Sequence, residues 1–297
     1  MNINALWERC TALSLWHRNV RSAQIDVGPY QVQSLICRSK NHESRHRHAA
    51  PRAVCVHGLG SSGAAYGSLL TELVPAWPEV WAPSAPGHGL SAPLPRDPQE
   101  RGSTQHRLYL AWEEILLSLS NETPIDLIAV SLGGAVSMRF AARHPSRVGR
   151  LILCSPAGAR LEERDIEHLR AVFKMSDPAD GMRFLKTLYH QPPWWSWALA
   201  PLVRRSLSRP EAQKIIEGLK PGDRLSPEEI SSLEMPTLLI WGGRARVLPP
   251  SSLAYLQRHA PSHFTLSTPP HFSHSPQREC PRELAEVILD WLQSESS

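Results

Sequence analysis

The sequence predicts an α/β fold in which a mostly parallel central sheet is flanked by helices and carries an inserted helical cap, and three observations predict it. Short apolar runs of strand length stand at residues 53–56, 80–82, 125–130 and 148–154, as expected of strands covered on both faces. Helix-forming stretches alternate with them, at 66–73, at 106–119 and directly after Ser131, which is the order of a sheet built with crossover helices. From Ala159 to Leu233 the alternation stops: helical stretches at 165–174, 181–189 and 210–219 follow one another across Pro-rich joints, with no strand between them. The expected division is a core of residues 1–158 and 234–297 with a helical cap at 159–233.

Taken in order, residues 5–18 set Leu6, Cys10, Leu13 and Trp16 at helical spacing, which predicts a short amphipathic helix packed on the core. Residues 23–27 and 30–37 alternate in polarity around Gly28-Pro29, the pattern of an antiparallel hairpin. The stretch 39–51 holds His42, His46 and His48; its polar composition and irregular spacing read as a solvated loop rather than a metal site. Strand 53–56 runs into His57-Gly58-Leu59-Gly60, where glycines allow close approach of the backbone to a neighbouring group. His57 is expected to hydrogen-bond within that loop. Strand 80–82 leads to a turn fixed by Pro86-Gly87 and Gly89. Within the cap, Pro192-Pro193-Trp194-Trp195-Ser196-Trp197 is the densest aromatic cluster of a chain with ten tryptophans. Such rings are expected to pack the cap on the core and to line an apolar pocket.

Length and charge exclude several classes. A chain of 297 residues buries a sizeable core without disulfides. Its 32 Lys and Arg are interspersed with 28 Asp and Glu, so no face is dedicated to polyanions and nucleic acid is not an expected partner. The five cysteines (Cys10, Cys37, Cys55, Cys154, Cys280) are odd in number and form no C-x-x-C, which suits buried reduced thiols. There is no basic leader followed by an apolar stretch and no run of 18 apolar residues, so a cytoplasmic protein with no membrane partner is expected. No metal or other cofactor is expected, and the oligomeric state is open.

Chemistry concentrates in I-D-L-I-A-V-S-L-G-G-A-V-S-M-R-F-A-A, Ile125 to Ala142. An apolar strand, a serine and a glycine-led helix make the sharp turn that lifts the Ser131 hydroxyl above a sheet edge. The same turn sets the Leu132 N–H at a helix N-terminus, where it can stabilise an oxyanion. Ala129 stands where such turns usually carry their first glycine. Taken alone, the pentapeptide is equally a plain strand-to-helix turn.

The H-G-L-G, P-G-H-G-L-S, A-V-S-L-G-G and R-H-P-S-R-V-G-R-L-I-L-C-S-P-A-G segments, in that order, resemble the α/β-hydrolase superfamily in its branch of small capped bacterial serine hydrolases. The resemblance implies an α/β-hydrolase fold from about residue 20 to the C-terminus, weakest between 160 and 230. It implies Ser131 as nucleophile and the N–H groups of Leu59 and Leu132 as the oxyanion hole. Ser84 replaces an aspartate usual in relatives, where it is mostly structural. The family's histidine loop, G-H-x-P-x-x-E-x-P-x-x-L, aligns with Ser273, His274, Pro276, Glu279, Pro281 and Leu284, which makes His274 the catalytic histidine. His271 is the rival and lacks that spacing.

The family's acid is missing. In P-T-L-L-I-W-G-G-R-A-R-V-L-P, 236–249, its position is held by Ala245. Glu162, Glu163 or Asp165 would have to fold back towards His274 to replace it. Three readings follow. One is a serine hydrolase of a small apolar or aromatic ester-like substrate, working through an acyl-enzyme with a Ser131–His274 dyad or a displaced acid. The second is a catalytically impaired protein that binds a small apolar ligand. The third is the fold used for a non-hydrolytic cyclisation or elimination. The presence of the serine, the histidine and both oxyanion donors favours the first.

Overall fold

The computed structural model describes residues 3–39, 52–95, 102–121, 123–220 and 225–295; the His42, His46 and His48 stretch lies outside the described residues. Its strands are β1 (Val20–Val27), β2 (Tyr30–Arg38), β3 (Ala53–Val56), β4 (Glu79–Pro83), β5 (Ile125–Val130), β6 (Val148–Cys154), β7 (Thr237–Ile240) and β8 (Phe264–Ser267). They form one sheet in the order β1-β2-β4-β3-β5-β6-β7-β8. β1 and β2 pair antiparallel through a tight turn, Val27 opposite Tyr30, with Gly28 at φ 51°. β2 also runs antiparallel to β4, and every later pair is parallel.

The helices are α1 (Ile3–Ser14), α2 (Gly67–Leu73), α3 (Thr104–Leu119), α4 (Leu132–Arg143), α5 (Glu163–Val172), α6 (Asp180–Leu188), α7 (Ser196–Leu207), α8 (Pro210–Glu217), α9 (Pro227–Ser231), α10 (Pro250–His259), α11 (Pro276–Glu279) and α12 (Pro281–Ser294). The all-apolar strands have the composition they need because both faces of the sheet are covered. In β3, Val54 and Val56 join one core with Leu108 and Trp112 of α3. Ala53 and Cys55, on the other face, join a second core with Leu69 of α2 and Leu284 and Ile288 of α12. Side chains alternate across a strand, so neighbouring apolar residues feed opposite cores. Cys55 and Cys154 are buried free thiols in the second core.

Between β6 and β7 lie α5 to α9 and, among the described residues, no strand, a helical insertion as expected. Its most aromatic joint differs from expectation, because residues 196–207 form α7 despite the internal Pro201. β8 also carries no clear sequence signal: it is four residues long, at the sheet edge and only partly buried. Among the described residues, no helix is long and apolar enough to cross a membrane.

Candidate active site

The order β4-β3-β5 places strands on both sides of β3, so the connections after β3 and β5 leave in opposite directions. A crevice opens at the carboxyl ends of such strands. Ser131 directly follows β5 and Leu59 lies three residues beyond β3, so both sit at this crevice. Ser131 has φ 57° and ψ −124°, a conformation that costs a non-glycine residue roughly 1–3 kcal/mol. Four backbone hydrogen bonds hold it there. Its N–H donates to Cys154 O at 3.2 Å, and its carbonyl accepts from Gly134 N at 2.8 Å, Ala157 N at 2.8 Å and Ala135 N at 3.4 Å.

The glycines after the serine have a steric reason. A Cβ at Gly133 would lie 2.1 Å from Val56 O, and one at Gly134 would lie 2.4 Å from Pro156 Cβ. The start of α4 is therefore pressed against the ends of β3 and β6. Gly58 lies against the serine itself: a Cβ there would be 3.1 Å from Ser131 Cβ and 3.6 Å from its Oγ. The loop carrying Leu59 thus stands beside Ser131, while Leu132 opens α4 with an N–H that the helix leaves without an intrahelical acceptor.

His57 is a structural residue of that loop. Its Nε2 accepts from Ala85 N–H at 3.0 Å, so the proton is on Nδ1, which donates to Gly58 O at 2.8 Å. Burial pushes its pKa down to about 3.

His274 lies in the loop between β8 and α11, is 2% exposed, and lines the same cavity as Ser131. Its Nδ1 is buried with no hydrogen-bond partner among the described residues. Burial, with no carboxylate to oppose it, pushes the His274 pKa down to about 4. The candidate replacement acids are engaged elsewhere. Asp165 accepts from Glu162 N at 3.1 Å and from Ser251 Oγ at 3.2 Å, and Glu162 and Glu163 are exposed. The rival His271 is exposed and pairs with Glu283 at 2.5 Å. Ala245 follows β7 on a turn that packs against the histidine loop, where Arg244 N donates to Phe272 O at 2.9 Å.

Two cavities meet at the serine. One, of about 140 Å³, is lined by Ser131, His274, Phe184, Leu199, Val203 and Glu8 among others. The second, of about 320 Å³, is lined by Ser131, Leu132, Leu161, Ile215, Ile216 and Leu225 among others. Leu59 and Phe173 border both. The insertion provides much of both linings, through α6 and α7 over the first and α8 over the second.

Glu8 is a site residue that sequence reasoning missed. On an amphipathic helix a glutamate reads as part of the solvated face, and nothing local marks it otherwise. Here α1 brings Glu8 to the first cavity, where it accepts from Ser62 Oγ at 2.5 Å. Burial raises its carboxyl above the ordinary range, against the hydrogen bond from Ser62 and the charges of Arg278 and Arg209.

The buried histidines set a pH dependence for folding. Unfolded, they take up protons near pH 6.5; folded, His274 does so near 4 and His57 near 3. The unfolded chain binds more protons across that window, so their contribution is complete above pH 6.5 and is lost as pH falls towards those values. Melting temperature is expected to fall through this range, and His57→Gln is expected to flatten the fall. An unchanged slope in that variant would remove His57 from the account.

A family model described as the alpha/beta hydrolase family matches residues 53–287. The chain belongs to the α/β-hydrolase family. Among curated proteins, the pimeloyl-[acyl-carrier protein] methyl ester esterase of Neisseria meningitidis serogroup C is 29% identical over 233 residues, covering 72% of this chain and 85% of that protein. Among solved structures, this α/β-hydrolase is similar to a membrane phospholipase A described as a bacterial virulence factor (TM-score 0.79, 22% identity, covering 98% of this chain and 92% of that one). It is also similar to the naproxen esterase of Bacillus subtilis (TM-score 0.70, 19% identity, covering 98% and 97%). At these identities the structural likeness speaks for the fold.

Proposed function

We propose that this α/β-hydrolase is a serine esterase acting on a small, largely apolar ester, with residues 159–233 as a cap over a core of 1–158 and 234–297. The observation that carries the reading is the strained, hydrogen-bond-anchored backbone of Ser131 on a cavity that a buried histidine also lines. Strain at a serine persists only where surrounding structure over-determines it, and such positions cluster at active sites. The methyl ester esterase relative supports the ester class.

Ser131 Oγ attacks the ester carbonyl while His274 accepts its proton, and the oxyanion rests on the N–H groups of Leu59 and Leu132. His274 then gives that proton to the departing alcohol, and a water activated by the same imidazole releases the acid from Ser131. The direction of departure divides the substrate. His274 borders the smaller cavity and Leu132 the larger; the leaving alcohol therefore belongs in the first and the acyl chain in the second. No metal or other cofactor takes part in this scheme.

Intact-mass labelling with a fluorophosphonate tests the reading. One adduct on the native chain and none on Ser131→Ala is the expected result. No adduct on either would overturn it, and the unpartnered Nδ1 of His274 would then favour a protein that binds an apolar ligand without turning it over.

A further inference from the structure

The tryptophans of the insertion were expected to pack inward, and they do not. Trp194 is 85% exposed, Trp197 65% and Trp195 39%. They sit at the joint between α6 and α7, two helices that pack against each other. The outer face continues the apolar surface along α7 with Ala198 and Pro201, both exposed. The inner face of the same hairpin is the roof of the smaller cavity, through Phe184, Leu188, Leu202 and Val203. One pair of helices is therefore apolar on both sides, with the site beneath it and solvent above.

Charge gives the outer face a partner. Residues 181–210 contain five basic side chains (Arg183, Lys186, Arg204, Arg205 and Arg209) and no acidic one, against a net charge of +4 for the whole chain. Arg183 pairs with Asp180 at 2.7 Å, Arg204 Nε donates to Asp177 O at 3.1 Å, and Arg209 donates to Gly87 O. Lys186 and Arg205 are exposed on the hairpin. Tryptophan rings settle at the headgroup level of a bilayer, and adjacent Lys and Arg are drawn to anionic lipid.

We infer that the outer face of the α6–α7 hairpin docks on an anionic phospholipid surface. The contact is peripheral and needs no spanning helix, so it revises the expectation of no membrane partner without touching the observation behind it. The groove beside Trp195 is lined by Thr11 of α1 and by Arg278, and Arg278 also lines the cavity that holds Ser131. Arg278 thus stands between the groove beside the tryptophans and the cavity that holds Ser131. The docking itself stands independently of the esterase reading.

The test is co-sedimentation of the full chain with vesicles of pure phosphatidylcholine and with vesicles in which about a quarter of the lipid is phosphatidylglycerol. The native chain is expected to bind the anionic vesicles and to be released by salt. Trp194→Ala/Trp197→Ala and, separately, Lys186→Glu/Arg205→Glu are each expected to weaken that binding about tenfold or more. Circular dichroism and fluorophosphonate labelling of these variants show whether the fold and site remain intact, since none of the four residues lines the catalytic cavities. Failure of the native chain to bind either vesicle would overturn the inference, as would undiminished binding by both variants. Sedimentation showing a native dimer that Trp194→Ala/Trp197→Ala dissolves would give the face to a second copy of this chain instead.

Discussion

Ala245→Asp is expected to raise ester turnover roughly a hundred- to ten-thousandfold, the factor lost by serine hydrolases deprived of their acid. The native site has most of the machinery and lacks one charge. His274 is buried, its Nδ1 has no partner among the described residues, and its pKa is pushed down to about 4. When it takes the serine proton it becomes an imidazolium with no counter-charge in a dry setting. A carboxylate on the turn that packs against Phe272 would hold the imidazole by Nδ1 and stabilise the cation. The acid limb of kcat/KM moves with it. With His274 as the proposed base, the native limb is expected near pH 4, where burial places its pKa; in the variant that limb is expected to shift upward, because a nearby negative charge favours the protonated ring. A pH–rate profile reads both effects together. An unchanged rate with an unchanged limb would show that His274 is not the proton acceptor.

Ser131→Gly is expected to cut turnover by about 10⁴-fold or more while making the fold more stable. Glycine alone occupies φ 57°, ψ −124° without penalty, so relief of strain is worth about 1–3 kcal/mol, offset in part by the greater freedom of glycine in the unfolded chain. Ser131→Ala separates the two terms, since it removes the hydroxyl and keeps the Cβ. The expected order of melting temperature is Ser131→Gly above the native chain and Ser131→Ala close to it. A glycine variant that melts below the native protein would show that the serine side chain contributes more in packing than the elbow costs in strain.

What could be read from the sequence follows from how local each signal is. The four central strands were legible because burial on both faces writes itself as a largely apolar run, unbroken in Ala53–Val56 and interrupted only by Asp126 in Ile125–Val130. The elbow was legible because the close approach of α4 to Val56 O admits only glycine at position 133. That His274, rather than the exposed His271, lines the cavity with Ser131 follows the proline and glutamate spacing of its loop, a family resemblance and not a periodicity. Two things were hidden for physical reasons. α7 reads as a joint because Pro201 and the tryptophans lack helical preference, and its packing against α6 overrides that. Glu8 reads as surface because the groups that enclose it, Ser62, Arg209 and Arg278, are far away in the chain. The orphaned Nδ1 was visible only by omission, in the alanine at 245.

A base that holds its proton only below about pH 4 is, once protonated, a strong acid. In the mechanism we propose, the site is lopsided in Brønsted terms: His274 is a reluctant acceptor, from Ser131 and later from water, and a ready donor when the alcohol leaves. The difficult steps are therefore the two proton abstractions, and expulsion of the leaving group follows without delay. Such a site accumulates little tetrahedral intermediate through slow departure of the alcohol. Its preference among esters is set by how easily the carbonyl is attacked, more than by how well the alcohol departs.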